Sequence, residues 1–262
     1  MLKKFNNKTL IIILVSLIVL VGIVQIVSMQ KGERNFRAYL AQVDTASVNK
    51  IELIGFETEP IIFEQKARNW QVTQGNKIAK ADKYSIDNIM KSLADLKVKK
   101  RVGVKAEQWE KYEVTDSLGT RMKVYEDGEL SADLMIGRFS YKRMGQGFAM
   151  STNARLTDED EVYTVEGQLS MTVKRDFNGF RDKTLLQIPA ADIQSVKYTY
   201  PADSSFTLAQ SGSQWMAGNQ LADSTSLDKY FKGLKNVRGN GFVDEFSASG
   251  NPVYKAQFQI LA

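Results

Sequence analysis

Paired carboxylates are the catalytic chemistry this chain leaves open. It carries 30 acidic and 35 basic residues among 262, with no histidine and no cysteine. Without histidine, the Ser-His-Asp and Cys-His nucleophile systems and most transition-metal sites are excluded. Without cysteine there are no disulfides, thiolate nucleophiles, iron–sulfur clusters or cysteine-ligated zinc. A carboxylate enzyme would need two acids about 5–10 Å apart across a cleft, which no sequence spacing certifies. The composition therefore points away from a conventional enzyme, and neither a cofactor nor a metal is expected.

Several patches combine residue types that could bind something. The densest mixture of aromatics and charge is Arg175-Asp176-Phe177-Asn178-Gly179-Phe180-Arg181-Asp182-Lys183-Thr184-Leu185. Within it, Phe180, Arg181 and Asp182 read either as a partner-binding surface or as a helix end whose Arg181 and Asp182 clamp two parts of the chain together. Asp158-Glu159-Asp160-Glu161 has the composition of an acidic metal site. Consecutive carboxylates diverge, however, and no closing glutamate stands at calcium-loop spacing, so a solvated turn is expected. Arg143-Met144-Gly145-Gln146-Gly147-Phe148 places two glycines near a base without a strand-loop-helix context, which makes it a plain turn rather than a phosphate cradle. Trp70 and Trp215 could be stacking platforms; their matched positions after paired strands favour core anchors.

Those tryptophans belong to a repeat. Residues 46–72 recur 145 positions later at 191–217 without a gap. Ile51, Leu53, Ile61, Phe63 and Trp70 fall opposite Val196, Tyr198, Phe206, Leu208 and Trp215. Each copy reads as three strands, 48–54, 61–65 and 70–72 in the first, followed by an amphipathic helix. The first helix carries Ile86, Ile89, Met90, Leu93 and Leu96 on one face, with Ser85 as its expected N-cap. The second carries Phe231, Leu234 and Val237 after Ser226-Leu227-Asp228. Between them, residues 105–187 read mostly as strands. Glu126-Asp127-Gly128-Glu129 marks a hairpin, because glycine accepts positive φ without a Cβ clash, and a helical stretch is expected over 168–177. The expected class is α+β: an N-terminal transmembrane helix, then duplicated β-β-β-α units with a strand-rich middle segment.

Thr9 to Met29 is uncharged and about as long as a hydrocarbon core requires of a helix. Lys3, Lys4 and Lys8 before it favour a cytoplasmic N-terminus. The apolar run is too long for a cleaved signal and lacks a small-x-small site. The expected organisation is a tail over 1–8, a signal anchor over 9–29, a linker over 30–43, a first α+β unit over 44–187 and a second over 188–262. This places a single-pass protein in the cytoplasmic (inner) membrane, with the bulk of the chain extracytoplasmic or periplasmic. The Asn7-Lys8-Thr9 sequon then lies on the wrong side to be glycosylated. The formal charge of +5 owes much to that lysine tail; no dense basic block with interleaved aromatics exists, so nucleic acid is not an expected partner. Residues 252–260 alternate like a strand that stops before its hairpin partner, leaving an apolar edge. Such an edge is an aggregation liability, so the chain reads as a fragment of a longer one.

The N-terminal anchor, Val43-Asp44-Thr45, Ile51-Glu52-Leu53 before Trp70-Gln71-Val72, the helix with Leu93 and Leu96, and Phe180-Arg181-Asp182-Lys183-Thr184-Leu185 together resemble the domain-of-unknown-function 4340 family. The resemblance runs from about residue 36 to the end. It implies a bacterial, membrane-anchored protein, often encoded beside gliding-motility-type ABC transporter components, and it supplies no catalytic residues. The expected function is an extracytoplasmic, non-enzymatic binding or assembly module with protein partners in a membrane transport complex. The alternative is a cell-wall or carbohydrate-active enzyme using paired carboxylates.

Overall fold

Strands that present alternate side chains to one face organise the described residues around buried apolar cores. A computed structural model describes residues 14, 16–17, 37–145, 147–200, 205–245 and 257–261. It divides into two compact units, Met1–Val48 with Met90–Met171, and Asn49–Ile89 with Thr172–Ala262.

In chain order, Val48–Ile54 (β1), Ile61–Lys66 (β2), Asn69–Gln74 (β3) and Lys77–Lys80 (β4) form successive antiparallel pairs. Ile51, Leu53, Phe63 and Val72 point inward and are buried. Helix α1, Lys83–Ala94, follows and buries Ile86, Ile89 and Leu93. Then come Val98–Gly103 (β5), a short helix at Trp109–Tyr112 (α2), Thr120–Glu126 (β6), Glu129–Met144 (β7), Gly147–Leu156 (β8) and Val162–Glu166 (β9). These five strands lie in the order β6-β7-β8-β9-β5. The β6–β7 turn takes Asp127 at φ 49° and Gly128 at φ 90°, the left-handed pair that a two-residue hairpin demands.

Arg155 is a buried cation of this first unit. Its Nε donates to the Val114 carbonyl at 3.1 Å, and its Nη1 to the Leu156 and Thr157 carbonyls at 3.0 Å each. Its guanidinium lies 3.6 Å over the Trp109 ring. Burial lowers its pKa from the ordinary arginine value, and the planar fork donates from two different nitrogens while stacking on the ring, a geometry that a lysine's point charge does not reproduce.

The remaining elements are two short helices, Leu169–Val173 (α3) and Phe177–Phe180 (α4), and the pair Thr184–Leu186 (β10) with Val237–Arg238 (β15). A five-stranded sheet is built from Ser195–Thr199 (β11), Phe206–Ser211 (β12), Gln214–Ala217 (β13), Gln220–Leu221 (β14) and Gln257–Leu261 (β16), in the order β14-β13-β12-β11-β16. Helix α5, Ser224–Leu234, packs Leu227, Phe231 and Leu234 against Val196 and Leu208 of that sheet. The strand registers repeat at the sequence offset. Ile51 pairs with Phe63 as Val196 does with Leu208, and Gln65 pairs with Trp70 as Gln210 does with Trp215.

Two expectations are corrected. The chain is not the expected α+β arrangement of a transmembrane helix with β-β-β-α units: strands make up 46% of it and helix 21%, so it is mostly β-sheet. The excess arises because four strands, not three, precede each long helix, and because β7 runs for 16 residues through sequence with weak alternation. The expected single-pass inner-membrane placement is also overturned. Among the described residues no helix is long and apolar enough to cross a membrane. Of the stretch 9–29 only Leu14, Ser16 and Leu17 are described, and they are helical; the rest, with the sequon at 7–9, lies outside the described residues.

Candidate functional site

Helix α1 begins at Lys83, two residues before the expected Ser85 cap, and its capping group is Asp82. The Asp82 carboxylate accepts from the Ser85 N–H at 2.9 Å and the Ser85 hydroxyl at 3.0 Å, satisfying a helix-end donor that would otherwise be orphaned. Its other oxygen accepts from Arg238, 156 residues away. Arg175 reaches the same corner, donating to the Ser85 Oγ at 3.1 Å. Asp82 is buried. Burial alone would raise its pKa, but Arg238 and the two Ser85 bonds outweigh that and hold it below the ordinary aspartate value.

The segment Phe180-Arg181-Asp182 lies along this corner as a short added strand. The Asp82 N–H donates to the Phe180 carbonyl at 2.7 Å, the Asp182 N–H donates to the Lys80 carbonyl at 2.8 Å, and Ala81 bridges Arg181 antiparallel. Phe180 is fully buried and meets Phe63 edge-on at 5.0 Å between centroids. Arg181 donates to Asp244 at 2.8 Å and to Asn178 at 3.0 Å, and its guanidinium lies 3.6 Å over the Phe242 ring. The stacking leaves its buried Nε without an acceptor among the described residues. Asp182 pairs with Lys80 at 2.8 Å and accepts from the Thr184 N–H at 2.9 Å. Burial works against its ionisation, but Lys80 and Thr184 prevail and hold its pKa down to about 2.

That shift predicts an acid-sensitive contribution to stability. The folded pKa of Asp182 is below its unfolded value, so the contribution is complete above about pH 4 and is lost as pH falls toward 2. With solvent screening around exposed Lys80, it is on the order of 1–2 kcal/mol. Asp182→Asn should therefore cost stability at pH 7 and almost none at pH 2, measured by urea unfolding at both. Equal losses at the two pH values would contradict this assignment.

The other patches are placed as follows. Asp158–Glu161 is not a free solvated turn. Glu159 takes a forked pair of bonds from Arg37 at 2.6 and 2.9 Å, the Asp160 carbonyl accepts from the Trp109 indole at 2.9 Å, and Glu161 lies 3.8 Å from Arg101. Among the described residues no group of three or more acids could hold a metal ion. Trp70 and Trp215 are half-buried rather than full core residues, with Trp215 4.8 Å from Phe231.

Sequence reasoning missed two further features. Asp223 caps α5 through Ser226 at 2.8 Å, repeating the Asp82-Ser85 arrangement; the shared Asp-x-x-Ser order was the available signal. The second feature is the end of the β7–β8 ribbon. The register Tyr141↔Met150 and Arg143↔Phe148 puts Phe139, Tyr141, Phe148 and Met150 on one face. Tyr141 is 70% exposed and Phe148 62%, and their rings meet at 6.0 Å. Gly145 turns the ribbon at φ +58°; the expected plain turn at 143–148 is the tip of this hairpin, and Gln146 lies outside the described residues.

The fold and these sites define a predominantly β scaffold in which Asp82 and Asp182 are paired with basic side chains of the same chain and the end of the β7–β8 ribbon carries exposed aromatic residues. The chain belongs to the family described as Domain of unknown function (DUF4340), which matches residues 70–257. No curated protein and no solved structure matches it.

Proposed function

We infer that the chain is a non-catalytic binding module that assembles with protein partners, the favoured partner being a subunit of an ABC-type transport system. The observation that carries this reading is the ribbon face of Phe139, Tyr141, Phe148 and Met150, with exposed Arg143 on the same face. Aromatic residues, methionine and arginine are the types enriched in protein interfaces. A contiguous apolar patch with a polar rim is the surface that a partner would cover. The enzymatic alternative needs an acid kept protonated near neutral pH. The carboxyls with resolved shifts, Glu64, Asp82, Asp133, Asp182 and Asp223, all move the other way.

The test is a photo-crosslinking residue at Phe148 of the full chain in its native cell, with Lys91 as a remote exposed control. A transport-system subunit should be trapped at Phe148 and not at Lys91. Adding Tyr141→Ser should reduce the yield at least tenfold while shifting Tm by no more than about 2 °C, because the side chain is already exposed. Equal trapping at both positions, or none at Phe148, rules the reading out.

A further inference from the structure

The two copies of the repeat differ in what lies against the N-terminus of the helix. In the first copy the Phe180–Asp182 segment extends the sheet beyond β4, puts an aromatic ring onto Phe63, and is accompanied by arginines on the capping pair Asp82 and Ser85. In the second copy no segment lies at the corresponding place among the described residues. A concavity of about 350 Å³ is lined by Tyr198, Leu208, Leu221, Asp223, Ser226 and Tyr230. Leu208 holds the register position of Phe63, while Asp223 and Ser226 repeat the cap.

The backbone at this place has the same polarity in both copies. Ala81 donates its N–H to the Trp70 carbonyl at 2.9 Å, and Ala222 to the Trp215 carbonyl at 2.8 Å. Ladder bonds alternate along an antiparallel pair, so the residue before each alanine turns its N–H and C=O away from the neighbouring strand. In the first copy the outward Lys80 carbonyl takes the Asp182 N–H, and the Asp82 N–H goes to the Phe180 carbonyl. In the second, the outward carbonyl of Leu221 and the N–H of Asp223 have no backbone partner among the described residues. The Asp223 cap bonds are to Ser226, which lowers its pKa. It therefore presents an ionised carboxylate with no arginine on it among the described residues.

We propose that this concavity docks an extended partner segment carrying an aromatic side chain flanked by arginine, added as a strand at Leu221–Asp223. The aromatic ring enters against Leu208 and Tyr230, and a guanidinium meets Asp223. The mode is strand addition, in which main-chain bonds supply affinity and the alternate side chains supply selectivity. Charge complementarity selects a basic segment, and the first copy shows the occupant chemistry within the same chain. This site is separate from the β7–β8 ribbon and does not depend on the function proposed for that surface.

The probe is a synthetic peptide with the sequence of residues 174–184, added to the full-length chain. Titration calorimetry should show saturable binding that weakens at least tenfold for the peptide bearing Phe180→Ala. Asp223→Asn in the protein keeps an N-capping side chain but removes the charge, and should weaken binding about threefold to tenfold with α5 intact by circular dichroism. A photo-reactive group at the phenylalanine position should label Leu208, Tyr198 or Tyr230. Lack of saturable binding, equal affinity of the Phe180→Ala peptide, or labelling around Phe63 and Ala81 through displacement of the chain's own segment would each overturn the proposal.

Discussion

Phe180→Ala should lower the unfolding free energy by about 3–5 kcal/mol, the range for deleting a fully enclosed aromatic side chain. Phe180 has no solvent exposure, and its ring meets Phe63, itself fully buried, edge-on at 5.0 Å. The lost transfer free energy is compounded by a cavity that cannot collapse easily. The surrounding backbone is held by the Asp82 N–H to Phe180 carbonyl bond and the Asp182 N–H to Lys80 carbonyl bond. The edge-to-face contact adds about 0.5–1.5 kcal/mol beyond area alone. Phe180→Leu should recover more than half of the loss, since most of the volume returns. Denaturant midpoints at unchanged m-value would measure both. A loss below about 1 kcal/mol for the alanine variant would mean that the segment is not docked on β4 in solution.

Arg238→Met should cost about 3 kcal/mol at pH 7, because it leaves the buried Asp82 carboxylate with only its Ser85 bonds. Much of that cost is the penalty of an uncompensated charge rather than the net worth of the pair. Asp82→Asn combined with Arg238→Met should therefore be more stable than Arg238→Met alone, with a coupling of about 1–3 kcal/mol in a double-mutant cycle. The pH dependence has a definite sign. In the wild-type chain the Asp82 pKa is lowered on folding, so its contribution exists above about pH 4 and fades as pH falls below that. The gap between Arg238→Met and wild type should accordingly narrow on acidification. A gap that stays constant from pH 7 to pH 3 would show that Arg238 acts through packing, for example over the Tyr84 ring at 5.9 Å, and not through Asp82.

Much of the sheet was legible because strand pairing is a local matter. Ile51, Leu53, Ile61 and Phe63 alternate in a short hairpin, and their register recurs with Val196, Tyr198, Phe206 and Leu208. The fold departs from the expected class where local signals are weak. Lys77–Lys80 and Gln220–Leu221 are edge strands too short and polar to show alternation, and the outer half of β7 has exposed residues on both faces. The start of α1 was misplaced because Asp82 and Ser85 are both good capping residues. Only the chain direction leading out of β4 decides that the helix begins at Lys83.

The site divides along the same line. The absence of histidine and cysteine, the repeat, and the mixed aromatic-charged run at 175–185 are properties of the linear chain, and they were enough to single out Phe180, Arg181 and Asp182. Which partners those residues take is a property of the folded chain. Asp82 and Arg238 are 156 residues apart, and Arg181 and Asp244 are 63 apart. At such separations periodicity and propensity carry no information about pairing. Each copy has a corner with an aspartate capping a helix; only tertiary structure decides that one is closed by Phe180 and arginines while the other has no such segment on it among the described residues. The physical reason is that a cap is built from residues three apart, whereas its occupant must be delivered by a distant segment whose path only packing determines.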